Sequence, residues 1–444
     1  MKAKIQITWS LIKSSFAFVP TLMSLSAILA AYLFIWIDKL DNPTIKDISS
    51  YVYNGGADGA RTLLSTISAS MNGIAGVTFS ITIVALTLAS GQFGPRLLRN
   101  FMKDLGNQFV LGTYISTFIY CLFVIQAIRS VGDLDFIPRL SIAFAMFLAI
   151  LGLGVLIFFF HYISTSIQAD YVIADAYKDL HRAIDKSFPA RVEITGNKKF
   201  SHNTLITINE ESHPHVWQIQ SSKSGYLQAI DYEGLVTLAQ KEDIIIELKL
   251  MPGDFQMMGS GIMTIKANQS NLDLSTTLND CMIVGKQKTS DQDMEYSIDQ
   301  LVEIAVRALS PGINDPTTAI TCIDHLSSAL SIIALRQFPP NIYMDSDEQL
   351  RVIAKPYSFT GMFNTAFDQI RQNGSSSEAI CIRLLEVFEK MAPIMITKEQ
   401  KDIILLHAEM VHTASEKNFE EDRDKEIANK LYKKVLQAIA DNKQ

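Results

Sequence analysis

The fold is decided by a stretch in the second apolar run of the chain, Ser65-Thr66-Ile67-Ser68-Ala69-Ser70-Met71-Asn72-Gly73-Ile74-Ala75-Gly76, which continues to Leu88-Ala89-Ser90 and stops at Gln92-Phe93-Gly94-Pro95-Arg96-Leu97-Leu98-Arg99. No charged residue lies between Arg61 and Arg96. At about 1.5 Å of rise per residue, about 25 residues cross a hydrocarbon core of about 30 Å, so the sequence predicts a membrane span over 66–90. At roughly 100° per residue, Ser65, Ala69, Gly73, Gly76, Ser80 and Thr87 share an arc of about 80°. Such a small, weakly polar face lets another backbone approach closely in lipid. Two readings stay open: packing against a helix of the same subunit, which Ile83 on the same arc favours, or a pore or oligomer axis.

Further apolar runs flank this one. Residues 16–37 form a first span ending near Trp36, too long and too continuous for a signal-peptide core and read as a retained anchor. A third span is expected over 108–128 and a fourth over 137–162, making 1–165 a four-span transmembrane domain. Lys2, Lys4 and Lys13 precede the first span, and Arg96, Arg99 and Lys103 against only Asp104 follow the second, whereas the first loop mixes Asp38, Asp41, Asp47 and Asp58 with Lys39, Lys46 and Arg61. Basic flanks stay inside, so both chain ends are expected in the cytoplasm of a cell whose inner membrane holds the protein.

The connector after the second span has a pattern of its own. Pro95 disfavours helix at Gly94 and can open a new one. Phe93, Leu97, Leu98, Phe101 and Met102 then form an apolar face opposite Arg96, Arg99 and Lys103. This is the pattern of a short helix lying in the membrane plane with its basic groups at the lipid headgroups.

Beyond residue 165 the character is that of a water-soluble α+β region. A connecting helix is expected over 166–189. Alternating segments at 192–194, 205–208, 216–219, 225–231, 244–250 and 261–265 predict a small β module over 190–290, with a turn at Met251-Pro252-Gly253-Asp254. Its glycine-centred strand pairs are similar to a biotinyl-carrier barrel-sandwich, but without the lysine that would carry a cofactor. Residues 291–444 read as a mainly helical cytosolic domain. There Asp315 caps a helix opening with Pro316, and Ser375 with Glu378 and Thr397 with Gln400 have capping-box spacing.

Two segments, Leu88-Ala89-Ser90-Gly91-Gln92-Phe93-Gly94-Pro95-Arg96-Leu97-Leu98-Arg99-Asn100-Phe101 and Ala308-Leu309-Ser310-Pro311-Gly312-Ile313-Asn314-Asp315-Pro316, resemble the signature stretches of a bacterial predicted-membrane-protein family, domain of unknown function 2254. The resemblance implies four spans followed by a cytosolic region over nearly the whole chain. It brings no activity and no functional residues.

Composition narrows the function classes. The 444 residues are 48% apolar with a net charge of -7, which does not suggest nucleic-acid binding. Cys121, Cys281, Cys322 and Cys381 have neither metal-ligand nor disulfide spacing. There is no G-x-S-x-G, no P-loop and no dinucleotide fingerprint. The carboxylates Asp291, Asp293, Glu295 and Asp299 lack a glycine-turned calcium loop, and acidic groups at a helix start suit its dipole without a metal. The turn Ser310 to Asp315 is the most site-like element: Ser310, Gly312, Asn314 and Asp315 precede a helix N-terminus that attracts anions. No intramembrane carboxylate or lysine of the kind a proton-coupled carrier needs is present in the spans. The expectation is therefore a non-enzymatic protein without cofactor, partnered by the lipid bilayer and by itself as a homo-oligomer of channel-like or gating role. The alternative is a membrane-anchored sensor or scaffold whose small-molecule ligand or partner is unidentified.

Overall fold

The fold is that of a computed structural model, which describes residues 16–40, 53–94, 104–129, 136–188, 213–269, 273–290 and 292–442. The expected strands at 192–194 and 205–208, the in-plane helix with Arg96, Arg99 and Lys103, the N-terminal lysines and Asp291 lie outside the described residues. The chain divides into two compact units, Met1–Tyr171 and Val172–Gln444.

The first unit is helical: α1 (Phe18–Lys39), α2 (Ala57–Phe93), α3 (Leu105–Ala127) and α4 (Arg139–Ser166). Each is long and apolar enough to cross a membrane. At 37 residues, α2 runs well past the expected 66–90. It is about 55 Å long, so it tilts or overhangs a core of about 30 Å.

Alanines and aromatics set the packing. Ala27 and Ala31 on α1, Ala60 and Leu64 on α2, Tyr120, Cys121 and Val124 on α3, and Ile142 and Ala145 on α4 form one buried cluster. Met71, Ala75, Val110, Tyr114, Val155 and Phe159 form a second. The Tyr114 hydroxyl donates to Gly152 O (3.1 Å) and that of Tyr120 to Ser141 O (3.1 Å), pinning α3 against α4 along their length. Those donors need partners because hydrocarbon offers none.

Helix ends are fixed the same way. Asp38, at the end of α1, accepts from Leu140 N and Ser141 N (both 3.0 Å) and from Ser141 Oγ (2.7 Å), capping the first turn of α4. Asp104 caps α3 through Gly106 N (3.0 Å) and also accepts from the Tyr162 hydroxyl.

The second unit combines α5 (Ala169–Ser187, from Val172 onward) with sheets and helices. β1 (His215–Gln220), β2 (Gly225–Ile230), α6 (Tyr232–Glu242), β3 (Ile244–Leu248), β4 (Phe255–Gln256), β5 (Gly261–Ala267), α7 (Ser275–Asp280) and β6 (Met282–Gly285) come first. Then follow α8 (Met294–Ala308), α9 (Pro316–Leu335), β7 (Ile342–Met344), β8 (Leu350–Ile353), α10 (Phe359–Asn373), α11 (Glu378–Met391), α12 (Lys398–Asn418) and α13 (Asp422–Asp441).

The sheets differ from a closed barrel-sandwich. One is five-stranded in the order β1-β5-β3-β8-β7, the other three-stranded in the order β4-β2-β6. β8 lies parallel to β3, with Ile246 opposite Val352, so residues from both sides of the boundary expected at 290 share one sheet. The reason is burial: Ile244, Ile245, Ile246 and Leu248 are all buried, and an interior strand needs a hydrogen-bonded neighbour on each side.

α9 is also long and apolar enough to span, giving five such helices among the described residues. Its buried face, Ile323, Leu326, Leu330 and Ile333, lies within the second unit among α8, α10 and α11. Its Asp324 holds Arg383 of α11 in a two-pronged pair of 2.7 and 2.6 Å. The Thr397–Gln400 capping box forms at the start of α12. The one expected from Ser375 and Glu378 does not: Ser377 is the cap residue of α11, and the Ser375 hydroxyl donates to Gln372 O (3.1 Å).

Candidate functional site

The small face of α2 is where the first unit departs most from an ordinary lipid-facing bundle. Ser65, Ala69, Gly73, Gly76, Ser80 and Thr87 are all exposed. The packing edge of α2 lies on the opposite side, at Ala60, Leu64, Ser68, Met71, Ala75, Thr78, Ala85 and Ala89. Among the described residues nothing packs on this face, so the intrachain contact that Ile83 favours is not formed by them. Alanine and methionine fill the intrachain contacts, and a Cβ built at Gly73 or Gly76 meets no atom within 4 Å.

Every exposed residue of α2 from Asp58 to Gly76 is Asp, Gly, Thr, Ser, Ala or Asn. Those 19 residues rise about 27 Å, close to a hydrocarbon thickness. α1 by contrast exposes Leu22, Leu25, Leu29, Leu33 and Trp36, and α4 exposes Phe147, Ile150, Leu153, Ile157 and Phe160. Past Gly76, α2 reverts to that habit with Val77, Phe79, Val84 and Leu88.

The hydroxyls on the face divide from its amide. Thr62, Thr66, Ser80 and Thr87 donate to the carbonyl four residues back, at 2.8 to 2.9 Å, and so are satisfied whatever surrounds them. Asn72 carries two donors and an acceptor, and a bond to the carbonyl four residues back, of the kind Asn373 makes, would satisfy only one of the donors. Facing hydrocarbon, its amide would cost several kcal/mol. Asn72 was missed as a member of the face because it falls outside the 80° arc; exposure over two adjoining arcs was the missing signal.

The second expected site, the Ser310 to Asp315 turn, is an exposed corner with its side chains already engaged. Ser310 Oγ donates to Arg307 O (2.6 Å). Asp315 accepts from Thr318 N (3.1 Å) and Thr318 Oγ1 (2.6 Å), and the hydroxyl and amide of Thr318 hold its carboxyl below the usual range. Asn314 sits at φ 51°, where its short polar side chain is tolerated, and a Cβ at Gly312 meets nothing within 4 Å. The corner thus terminates α8 and starts α9. Its carboxylate is committed to the α9 cap.

Two buried ionisable groups in the second unit were not legible as such. Asp293 caps α8 through Tyr296 N (3.0 Å) but is buried against Gly253, so burial pushes its carboxyl up to about 6. Glu295 is raised for the same reason, and Lys288 lies 3.9 Å from Asp299. Among the described residues, no group of three or more His, Cys, Asp or Glu side chains is arranged to hold a metal ion. His407 is fully buried between Phe363 and Phe388, with Nε2 2.9 Å from Asn364 Oδ1. Burial lowers its pKa from 6.5 to about 4, so it is a neutral core residue.

Comparison with known proteins agrees with this layout. Uncharacterized proteins of Mycobacterium bovis and of Mycobacterium tuberculosis are each 28% identical to the chain over 391 residues, covering 85% of it and 72% of their own length. No solved structure matches. The family model described as "Predicted membrane protein (DUF2254)" matches residues 13–390, a stretch that takes in the apolar helices, both sheets and the α8–α9 corner. That match reaches from the first apolar helix to α11, most of the α+β unit included, and the chain belongs to the DUF2254 family of predicted membrane proteins.

Proposed function

We propose that the protein is a non-enzymatic homo-oligomer of the inner membrane in which the small face of α2 lines the contact between copies or a channel axis, under regulation by the soluble unit. Four helices, α1 to α4, cross the bilayer, and both chain ends lie in the cytoplasm. The observation that carries this reading is the run of exposed residues from Asp58 to Gly76, which contains no Leu, Ile, Val, Phe or Trp. A lipid-facing helix gains about 0.8 kcal/mol per buried methylene, and α1 and α4 are built to collect it. This half of α2 is not. It suits another backbone at close range, or water, and Asn72 finds hydrogen-bond partners in either setting.

The four-span count is supported by where charge is tolerated. α9 carries Asp324 bound to Arg383 and packs among soluble helices, so its apolarity serves a protein core. The exposed polar residues of α2 are uncharged from Thr62 to Gln92, which favours a path without strong preference between cations and anions.

The test is single-channel recording on the purified full chain in liposomes, with molecular mass measured in detergent. A multimer that conducts, and whose conductance changes on Asn72→Asp towards cation preference, is expected. A monomer without conductance at any voltage or tension overturns the reading.

A further inference from the structure

The second unit buries one carboxyl oxygen that nothing answers, and this feature is independent of the α2 face. Asp293, at the start of α8, is 3% exposed; its Oδ1 accepts from Tyr296 N (3.0 Å), while Oδ2 has no hydrogen-bond partner among the described residues. Oδ2 lies against Gly253 of the Met251–Asp254 turn, so close that a Cβ there would overlap it. The neighbouring donors are already committed. Gly253 N donates to Leu227 O (2.8 Å), the Tyr357 hydroxyl to Gln292 O (2.8 Å) and Lys355 Nζ to Asp254 Oδ2 (3.2 Å), and Lys288 Nζ lies 3.9 Å from Asp299 Oδ2.

The place is a junction between sheet and helices. Gln292 brackets Ile230 of β2, accepting from its N (3.0 Å) and donating to its O (3.3 Å), so the residue before Asp293 ties α8 to the three-stranded sheet. The turn is tied to the same strand, because Leu227 N donates to Asp254 O (2.9 Å). Where turn and helix then meet, Gly253 faces the Asp293 carboxyl.

Charge decides whether that contact stays shut. A neutral carboxyl loses little by facing a glycine, whereas an ionised one leaves a charge without donor or water. On α8, Glu295 and Asp299 oppose a negative charge at Asp293, and Lys288 in the preceding connection favours it. Asp254 of the turn and Lys355 after β8 act on Glu295 beside it, and Tyr357, next along from Lys355, is kept neutral by burial. Burial outweighs the hydrogen bond from Tyr296 N and the pull of Lys288, and lifts the Asp293 carboxyl from 3.8 to about 6.

We propose that Asp293 is a proton-binding site that latches the Met251–Asp254 turn to α8: with its proton on, the turn stays seated, and with it off, the turn lifts and water reaches the carboxylate. Gly253, at φ +99°, is the joint, since glycine crosses readily between backbone basins. The seated form holds its proton to higher pH than the lifted form, so its advantage is complete below about 3.8 and is lost as pH rises through about 6. With those two values for the lifted and seated forms, the lifted fraction grows about tenfold between about pH 5 and about pH 7.5.

The test is hydrogen–deuterium exchange of the purified full chain in detergent at those two pH values. Mass spectrometry reads peptides carrying the amides of Met251, Gly253 and Asp254, with β3 as reference, and each rate is divided by the intrinsic rate at its pH. The wild-type turn is expected to exchange about tenfold faster at the higher pH while β3 stays unchanged. Asp293→Asn, uncharged at every pH, is expected to keep the turn equally protected at both. Lys288→Met removes a cation that favours the ionised carboxylate and is expected to raise the pH at which protection is lost. The Lys288 side chain is partly exposed, so this variant keeps the test decisive if Asp293→Asn fails to fold. Equal protection of the wild-type turn at both pH values overturns the assignment. So does a step of the same size in β3, which is a global event, or in Asp293→Asn, which places the titration elsewhere. A midpoint that Lys288→Met leaves in place overturns it as well.

Discussion

Replacing Gly73 and Gly76 together by leucine separates assembly from folding. Among the described residues neither position has an atom within 4 Å of a Cβ, so the helices described leave room for both side chains. Removing two helix-interior glycines stabilises α2 by about 1–2 kcal/mol in total. At a close helix–helix contact, the same side chains overpack by about 1–3 kcal/mol. That weakens association roughly five- to 150-fold in dissociation constant. The assay is paired: thermal melting of the purified chain in detergent, and mass by sedimentation over a range of protein-to-detergent ratios. The expected result is an equal or higher melting temperature with a shift from multimer to monomer. A double variant with unchanged mass and unchanged conductance would refute the argument, because it would show that the small face meets lipid after all.

Other consequences are as specific. His407 has a folded-state pKa of about 4 against 6.5, so the unfolded chain binds more protons below neutrality and stability falls as pH drops from about 6.5 to 4, by up to about 3 kcal/mol; melting curves of wild type and His407→Leu across that window should converge towards acid, and parallel curves would contradict the buried neutral imidazole. Gly253→Ala should cost about 2–4 kcal/mol by denaturant unfolding, because Gly253 sits at φ +99° and a Cβ would lie 2.6 Å from Asp293 Cγ; a loss below 1 kcal/mol would mean the turn relaxes freely. Asp38→Ala removes the acceptor of three hydrogen bonds at the start of α4 and should lower stability by about 1–3 kcal/mol, seen as a lower melting temperature with secondary structure retained.

The apolar runs were legible because a hydrocarbon core demands length and satisfied backbones, and both are properties of consecutive residues. The ends of α9 and α12 were legible for a similar reason: Asp315 with Pro316 and Thr397 with Gln400 act within three or four residues. Ser375 failed by the same logic, since Ser377 competes for the same helix start and takes it.

What lay beyond local reading involved partners distant in sequence. Nothing in Leu350-Arg351-Val352-Ile353 says that it pairs with Ile246, about a hundred residues earlier, because parallel pairing is chosen by what the sheet still lacks. The Asp38 cap on α4 and the burial of Asp293 under Gly253 likewise depend on chain segments meeting in space. The arc of small residues on α2 was visible as a period, but period alone assigns no neighbour. The sequence by itself determined that this helix has a small side and that the chain enters a membrane; the tertiary structure decided that alanine and methionine pack inward and the small side is left outward, since only the placement of α3 and α4 fixes which face of α2 is already covered.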